Sequence, residues 1–504
     1  MTDGKIRPLF TVVNGLRAGV YLLASYLLLY PVLTTPLIAD DLLNPFAQSV
    51  DGGNGLGAAL RYGWRGSIDG GSFRLAGTIT GAAYNWLWMA TSAKLGINMT
   101  TLYAITKYVV FIVCAATVAA FWYVASRAFG RRVRPWDALV LVSVALFGTL
   151  QLHLEWSNDP VASYPLAGFL PTALGFGVLA ATVVAVKRPT WRVFVCGGLF
   201  AALAVAYYEI SVGAVLGAGV IFAHSLWSVR RDRSALLRSV AGAAVFLGLP
   251  MVVAIGGRLV VGGNNSNYGG TDVALSRAPK TFARGALGSV PGTAWRLSER
   301  ILHGRIPIVF ASIALVLVLA VLLRWWAVTS AREERERPPV RDRGACVACA
   351  LAVVIYASFA VGLQALTDKV QDETLEVGYI YTFYAMASTA IALGIAVGLK
   401  ALLASPRMPT LRFAALAVGA SFLLVQSMIN FRLSEQANAD YQFNNRLLNA
   451  FDEDSTPAER CKALDLWYLL PFPEYYETGM TNGLRSAYEY YFGEPFCDQP
   501  APTG

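Results

Sequence analysis

Charged side chains are scarce in this chain: Asp, Glu, Lys and Arg make up 14% of its 504 residues. Soluble domains carry nearer a quarter. Together with 56% hydrophobic residues and a mean hydropathy of +0.50, the deficit excludes an ordinary soluble enzyme and points to many lipid-facing helices. Nucleotide motifs are absent as well. There is no Walker sequence and no Gly-rich loop between a strand and a helix, which argues against a nucleotide-sugar donor. Cysteine is sparse, six in all. The single CxxC, Cys346 and Cys349, sits in the apolar run CVACALAVVIYASF with no second pair and no nearby His, so a metal or redox role is set aside. The net charge of +9 does not indicate nucleic acid. Its Lys and Arg residues fall at the ends of apolar runs, where lipid head groups and topology explain them.

What is present is a series of apolar runs, and they predict an all-α polytopic membrane protein. Eleven spans are expected, at 16–38, 103–127, 136–153, 165–186, 191–207, 210–228, 238–257, 306–326, 345–366, 379–399 and 411–430. The first run is too long for a signal-peptide core and no small-residue cleavage pattern follows it, so it reads as a retained anchor. The loops alternate in charge. One set carries Lys5 and Arg7, Arg127 to Arg134, Lys187 and Arg188, Arg230 to Arg233, Arg332 to Arg343, and Lys400 with Arg407. The other set has almost no cations in its short loops. The positive-inside rule then places the N-terminus in the cytoplasm, and an odd span number places the C-terminus outside. The expected division is a membrane domain at 1–430 and a small extracytoplasmic domain at 431–504, with outer loops at 39–102 and 258–304 and a charged cytoplasmic linker at 328–344. Cys461 and Cys497 are the only cysteines outside the spans, on the side where disulfides persist, and are predicted to pair.

The large polar segments all lie on the outer side, so the chemistry is expected there. The first outer loop reads as amphipathic helices on the membrane surface, with Trp64, Trp86 and Trp88 at the interface; a helix pair dipping into the membrane is the alternative. Carboxylates mark the outer ends of several spans. They are Asp40 and Asp41 in PLIADDLLNPF, Glu155 and Asp159 in HLEWSNDP, which His153 opens, and Glu209 beside Tyr208 in AYYEIS. An ionisable group near membrane depth costs about 2.5–3.5 kcal/mol, so such groups usually face a cavity. For Asp159 and Glu209 the plain reading, polar markers of helix ends, stands level with a functional one. For the adjacent pair Asp40/Asp41 function is favoured, because side-by-side carboxylates raise at least one pKa. Among the outer cations, Arg74, Arg258, Arg296 and Arg300 suit phosphate oxygens by their planar fork, with snorkelling to lipid phosphate the competing reading. In the tail, the aromatics of DLWYLLPFPEYYETG and SAYEYYFGEPF read as the core of a small α-rich cap.

A first helix ending in PLIADDLLNPF, a long amphipathic first outer loop, the acidic HLEWSNDP and YYE turns, many helices and an outer C-terminal domain together resemble the GT-C superfamily of integral membrane glycosyltransferases. The resemblance is to the bacterial branch that uses polyprenyl-phosphate sugars. It implies a multi-pass protein of the bacterial plasma membrane with its site facing outside. There a sugar of the arabinofuranose, mannose or glucose class would pass, with inversion, from a polyprenyl monophosphate to a glycan, glycolipid or protein acceptor of the cell envelope. By position, Asp40, or else Asp41, would be the base. Arg258 and Arg74, with Arg296 or Arg300, would hold the phosphate. Glu155, Asp159, Glu209, Tyr208 and His153 would orient sugar or acceptor. The departing lipid phosphate is stable, so one base and phosphate-binding cations suffice. No cofactor is expected; the carboxylates admit a divalent ion without demanding one. The rival readings are a flippase, a polymerase or ligase of lipid-linked glycans, and a non-catalytic assembly protein.

Overall fold

The computed structural model describes residues 12–38, 40–51, 53–69, 74–129, 133–153, 159–261, 272–293, 342–374, 376–378, 382–404, 409–467 and 474–497. Its helices, in order, are α1 Val12–Leu33, α2 Asp40–Asp51, α3 Leu56–Asp69, α4 Leu75–Leu95, α5 Met99–Ala128, α6 Pro135–Thr149, α7 Phe169–Lys187, α8 Trp191–Tyr207, α9 Val212–Val229 and α10 Arg233–Val261. They continue as α11 Ala278–Gly288, α12 Arg343–Ala365, α13 Asp368–Glu373, α14 Phe383–Ala404, α15 Pro409–Asp440, α16 Gln442–Asn449, α17 Pro457–Trp467 and α18 Glu474–Phe492. Among the described residues no strand occurs beyond one bridge, Val273 to Thr367.

The chain is a polytopic helical membrane protein. Seven helices (α5, α7, α9, α10, α12, α14 and α15) are long and apolar enough to cross a membrane, and α1, α6 and α8 are shorter apolar helices. They fall on the expected spans; the one at 306–326, and nearly all of the linker at 328–344, lie outside the described residues.

Several edges differ from expectation by four residues or more, three of them for a local reason. Helix α6 stops at Thr149 rather than 153, because the next peptide groups are taken by a side chain of α15. Asn430 accepts from the Leu152 N–H at 3.0 Å and donates to the Leu150 carbonyl at 2.8 Å. Helix α15 in turn runs on to Asp440, so the expected boundary at 430 falls inside a continuous helix, which breaks at Tyr441 instead. Helix α1 likewise stops at Leu33 rather than 38, because Thr34-Thr35-Pro36 follows it and the residue before a proline is pushed out of the helical region.

The main core is built from the inward faces of the long helices, with Phe111, Phe147, Phe169, Phe176 and Tyr356 fully or nearly buried. Glycines bring some helices unusually close. A Cβ on Gly217 of α9 would lie 2.6 Å from the Ala352 carbonyl of α12. A second core joins α2, the C-terminal half of α4 and the start of α5 to the C-terminal helices, through Phe46, Trp88, Tyr103, Phe451, Trp467, Leu484 and Tyr488. The first loop is helical as expected, with α3 and α4 packed as an antiparallel hairpin. Trp64 is exposed and Trp86 half-buried, but Trp88 is in this core, its indole N–H donating to the Met99 carbonyl at 2.9 Å. Trp88 is therefore not an interface anchor: it sits on the face of α4 that α5 covers.

The tail helices α16–α18 do not stand alone. A Cβ on Gly483 would lie 1.8 Å from the Phe46 carbonyl, so α18 presses directly on the α2 backbone. Cys461 and Cys497 are joined as a disulfide across this unit, and buried Arg460 binds the Phe496 carbonyl at 2.8 Å and the Tyr488 hydroxyl at 2.7 Å. From the segment before α11, Asp272 and Ala274 bond to the backbone around the α12–α13 turn at 2.9 Å each.

Candidate functional site

The polar groups converge at the end of the bundle where α1 leaves and α2 begins. Helix α2 opens on Asp40 and Asp41, where negative charge is favoured by the helix dipole. Asp41 is half-buried. Its Oδ2 accepts from the hydroxyl of Tyr103 on α5 and from the backbone N–H of Tyr164 at 2.6 Å. Tyr164 has φ +57°, a left-handed conformation that costs a non-glycine residue on the order of 1 kcal/mol. Strain of this kind clusters at functional sites. The side chain of Asp40 lies outside the described set, as do Glu155, Arg296 and Arg300.

Behind the pair is a fully buried cation. Lys107 lies one turn after Tyr103 on α5, its Nζ 5.0 Å from the centre of the Tyr103 ring. It donates to the Val32 carbonyl at 2.8 Å, the Thr35 hydroxyl at 2.7 Å and the Thr35 carbonyl at 3.3 Å.

Asp159 is also fully buried. It caps a turn, accepting from the backbone N–H of His153, of Val161 at 2.8 Å and of Ala162 at 3.4 Å. Burial pushes its carboxyl up to about 6, while those three N–H groups and the charge of Lys107 pull the other way. His153 packs edge-on against Tyr384, centroids 5.3 Å apart. Burial takes its imidazole down to about 3, against a weaker opposite pull from the Gln151 backbone. The strand-like run that carries it is held from three sides. Asn430 takes Leu150 and Leu152, the Tyr384 hydroxyl lies 3.1 Å from the Gln151 N–H, and the Gln151 side chain bonds Val290 and Gly292 beyond α11.

A second group forms where α4 meets the α8–α9 turn. Arg74 binds both carboxylate oxygens of Glu209, at 3.0–3.2 Å, and its guanidinium stacks 4.2 Å above the Tyr208 ring. Both ionic side chains are about a third exposed, 32% and 35%. The Tyr208 hydroxyl reaches Thr382 at 3.1 Å and receives Gln364 at 3.2 Å. The approach depends on Gly77 of α4, whose Cβ would stand 2.3 Å from the Tyr207 carbonyl.

The sequence-predicted residues are thus brought together in two groups. Asp41 and Asp159 meet around Tyr103, Tyr164 and Lys107, with His153 beside Asp159. Arg74, Tyr208 and Glu209 meet each other, so that the residue expected on phosphate is engaged with one expected on sugar. Arg258 is exposed in the last turn of α10. Arg284 of α11 binds the Thr374 carbonyl at 3.1 Å. Among the described residues no three His, Cys, Asp or Glu side chains gather as a metal site.

The chain matches no known protein family. Comparison with curated proteins finds no match either. Chemical inference therefore rests on the two groups themselves. The first offers fixed carboxylates beside a buried cation; the second offers an arginine and a carboxylate on an aromatic platform, which can bind an anion, a hydroxyl, or both.

Three contributors went unread in the sequence: Tyr103, Tyr164 and Lys107. For Lys107 a signal existed. A lysine in the apolar run YAITKYVVFIV is expensive at membrane depth and by itself points to a paired, buried role. The tyrosines had none, since their roles come from contacts between distant segments.

Proposed function

We propose that this protein is a membrane glycosyltransferase that moves a sugar from a polyprenyl-monophosphate donor to a cell-envelope glycan, glycolipid or protein acceptor. The observation that carries the proposal is the acidic pair opening α2, with Asp41 held by Tyr103 and the Tyr164 N–H where an apolar helix has just ended. A lipid-linked phosphate is confined to that depth by its tail, so a base serving it must be there too. In this reading the charge alternation of the loops sets the orientation, N-terminus in the cytoplasm and the acidic pair outside, in a bacterial plasma membrane.

Asp40 is the proposed base, with Asp41 next in line; both of Asp41's known donors fix its carboxylate rather than leave it to reorient. The acceptor hydroxyl loses its proton to the base as its oxygen attacks the anomeric carbon, and the polyprenyl phosphate leaves with the bonding pair. Arg74 is the proposed phosphate ligand on the Tyr208 platform, trading part of its pairing with Glu209 for the phosphate oxygens, and Arg258 is a second. Glu209, Asp159 and His153 are proposed to orient sugar hydroxyls or the base. No cofactor is required by this chemistry.

The test uses purified protein in nanodiscs with polyprenyl-monophosphate arabinofuranose, mannose and glucose, reading transfer to glycan acceptors by mass spectrometry. Asp40→Asn is expected to lower transfer about 10²–10⁴-fold, the range of a lost general base, with donor binding kept. Full activity in both Asp40→Asn and Asp41→Asn overturns the base assignment. Binding of a lipid-linked sugar without transfer by the wild type moves the reading to a flippase.

A further inference from the structure

Resting on the transferase reading for what the acidic pair does, we propose that Lys107 is its positioning residue, acting through the backbone that links α1 to α2. Tyr103 and Lys107 are one turn apart on α5 and so face the same neighbour. Tyr103 holds the far side of the α1–α2 connection at Asp41; Lys107 holds the near side at Val32 and Thr35. One helical face thus grips both ends of the connection.

The connection needs that grip. Pro36 stops the helix and leaves the preceding carbonyls without helical partners, and buried carbonyls must find others. Side chains supply them. Lys107 takes that of Thr35 and shares that of Val32 with the Thr35 hydroxyl, which donates to it at 2.7 Å; Asn438 takes that of Thr34 at 2.7 Å, and past the proline Asn444 takes that of Leu37 at 3.1 Å. An ammonium has three N–H donors, and Val32 O, Thr35 O and Thr35 Oγ1 match them. A leucine would fill the space without the penalty of burying a charge. What a lysine adds is direction, from three fixed hydrogen bonds, and a positive field.

That field reaches two carboxylates from two other elements, Asp41 on α2 and Asp159 ahead of α7. Among the described residues the other titratable groups around them are Tyr84 on α4, which the charge of Asp41 reaches, Tyr103 on α5 itself, Tyr384 on α14 and His153 after α6. Lys107 is the cation among them that draws Asp159 toward its ionised form. It therefore couples the α1–α2 connection to the turn that Asp159 caps.

The experiment is hydrogen–deuterium exchange on the full chain in nanodiscs, which needs no substrate. Lys107→Met is expected to speed exchange of residues 34–42 about tenfold or more by local opening, with α7 and the disulfide-linked tail unchanged and Lys107→Arg restoring part of the protection. After correction for the intrinsic rate, the pH at which residues 159–163 change protection moves upward in Lys107→Met and stays in place in Lys107→Arg. A merely structural lysine would not move that midpoint. Should Lys107→Met not fold, Thr35→Val, which removes one acceptor of the ammonium and the hydroxyl's own bond to the Val32 carbonyl but leaves the charge, is expected to loosen residues 34–42 alone. Unchanged exchange there, in whichever variant folds, overturns the proposal. Where transfer is measured, Lys107→Met lowers kcat about 10²-fold, as for a catalytic group displaced by about 1 Å, and leaves KM within a few-fold. A wild type without transfer removes the transferase reading, while the exchange result still decides the grip.

Discussion

Asp159 and His153 are adjacent, buried and opposite in their response to pH. Between about 4 and 6 the folded Asp159 keeps a proton that the unfolded carboxyl, near 3.8, has released, so its contribution to stability is lost as pH rises through that window. His153 is held to about 3 against 6.5. An unfolded histidine therefore takes up a proton that the folded one refuses, and this contribution is lost as pH falls below about 6.5. Each slope is about 1.4 kcal/mol per pH unit, and in the shared window they cancel. Asp159→Asn is expected to uncover the histidine, giving a variant that loses stability relative to wild type from pH 6 to 4; His153→Gln is expected to do the reverse. Thermal unfolding across pH 4–7.5 reads both. At the same scale, Arg74 and Glu209 are partly exposed, so solvent screening limits their pair. A double-mutant cycle with Arg74→Ala and Glu209→Ala is expected to give a coupling of about 1 kcal/mol. A coupling near zero would show that the bidentate geometry is not held in solution.

Between elements, contact is decided by glycine. Helix α18 lies on α2 only because Gly483 has no side chain, and α4 lies on the α8–α9 turn only because Gly77 has none. The obstacles are backbone carbonyls, which cannot swing aside. Gly483→Ala is therefore expected to destabilise the tail against the bundle by about 1–3 kcal/mol, the range for overpacking, seen as earlier proteolysis of residues 457–497. Gly77→Ala is expected to spare that region and separate Arg74 from Glu209, leaving the double variant Gly77→Ala/Arg74→Ala no weaker in donor binding than Gly77→Ala alone. Both experiments address where an element sits rather than whether it forms, since each glycine lies within a formed helix.

For the whole molecule, the membrane helices and the tail are joined through a shared core rather than a linker, because α2 contributes Leu42, Leu43 and Phe46 to the same cluster as α16–α18. The disulfide spans 36 residues, a loop for which closure entropy predicts about 3–4 kcal/mol. Cys461→Ala/Cys497→Ala is expected to loosen α17 and α18 first and, through α2, to raise exchange at the acidic pair. Loosening confined to the tail would mean that the shared core does not transmit the change. Orientation is tested on sealed right-side-out vesicles, where an added protease is expected to reach residues 441–497 and leave the basic loops intact.

Hydropathy was enough to read the class of protein and the position of nearly every long helix, because lipid demands an unbroken apolar run from each span. Local chemistry marked the acidic pair after the first apolar run, while the end of α1, expected at 38, comes earlier, at Leu33 before Thr34-Thr35-Pro36. What only tertiary structure decided were the relations between segments distant in the chain: Asn430 ending α6, Tyr103 and Tyr164 holding Asp41, Trp88 turned inward, Arg74 paired with Glu209. Lys107 stands between the two cases. Its cost was visible in an apolar run, but its partners, Val32 and Thr35, are set by which face of α5 meets the end of α1. No period or motif in the chain encodes that pairing. It follows from close packing, in which a buried polar group takes whichever partner the neighbouring helix presents.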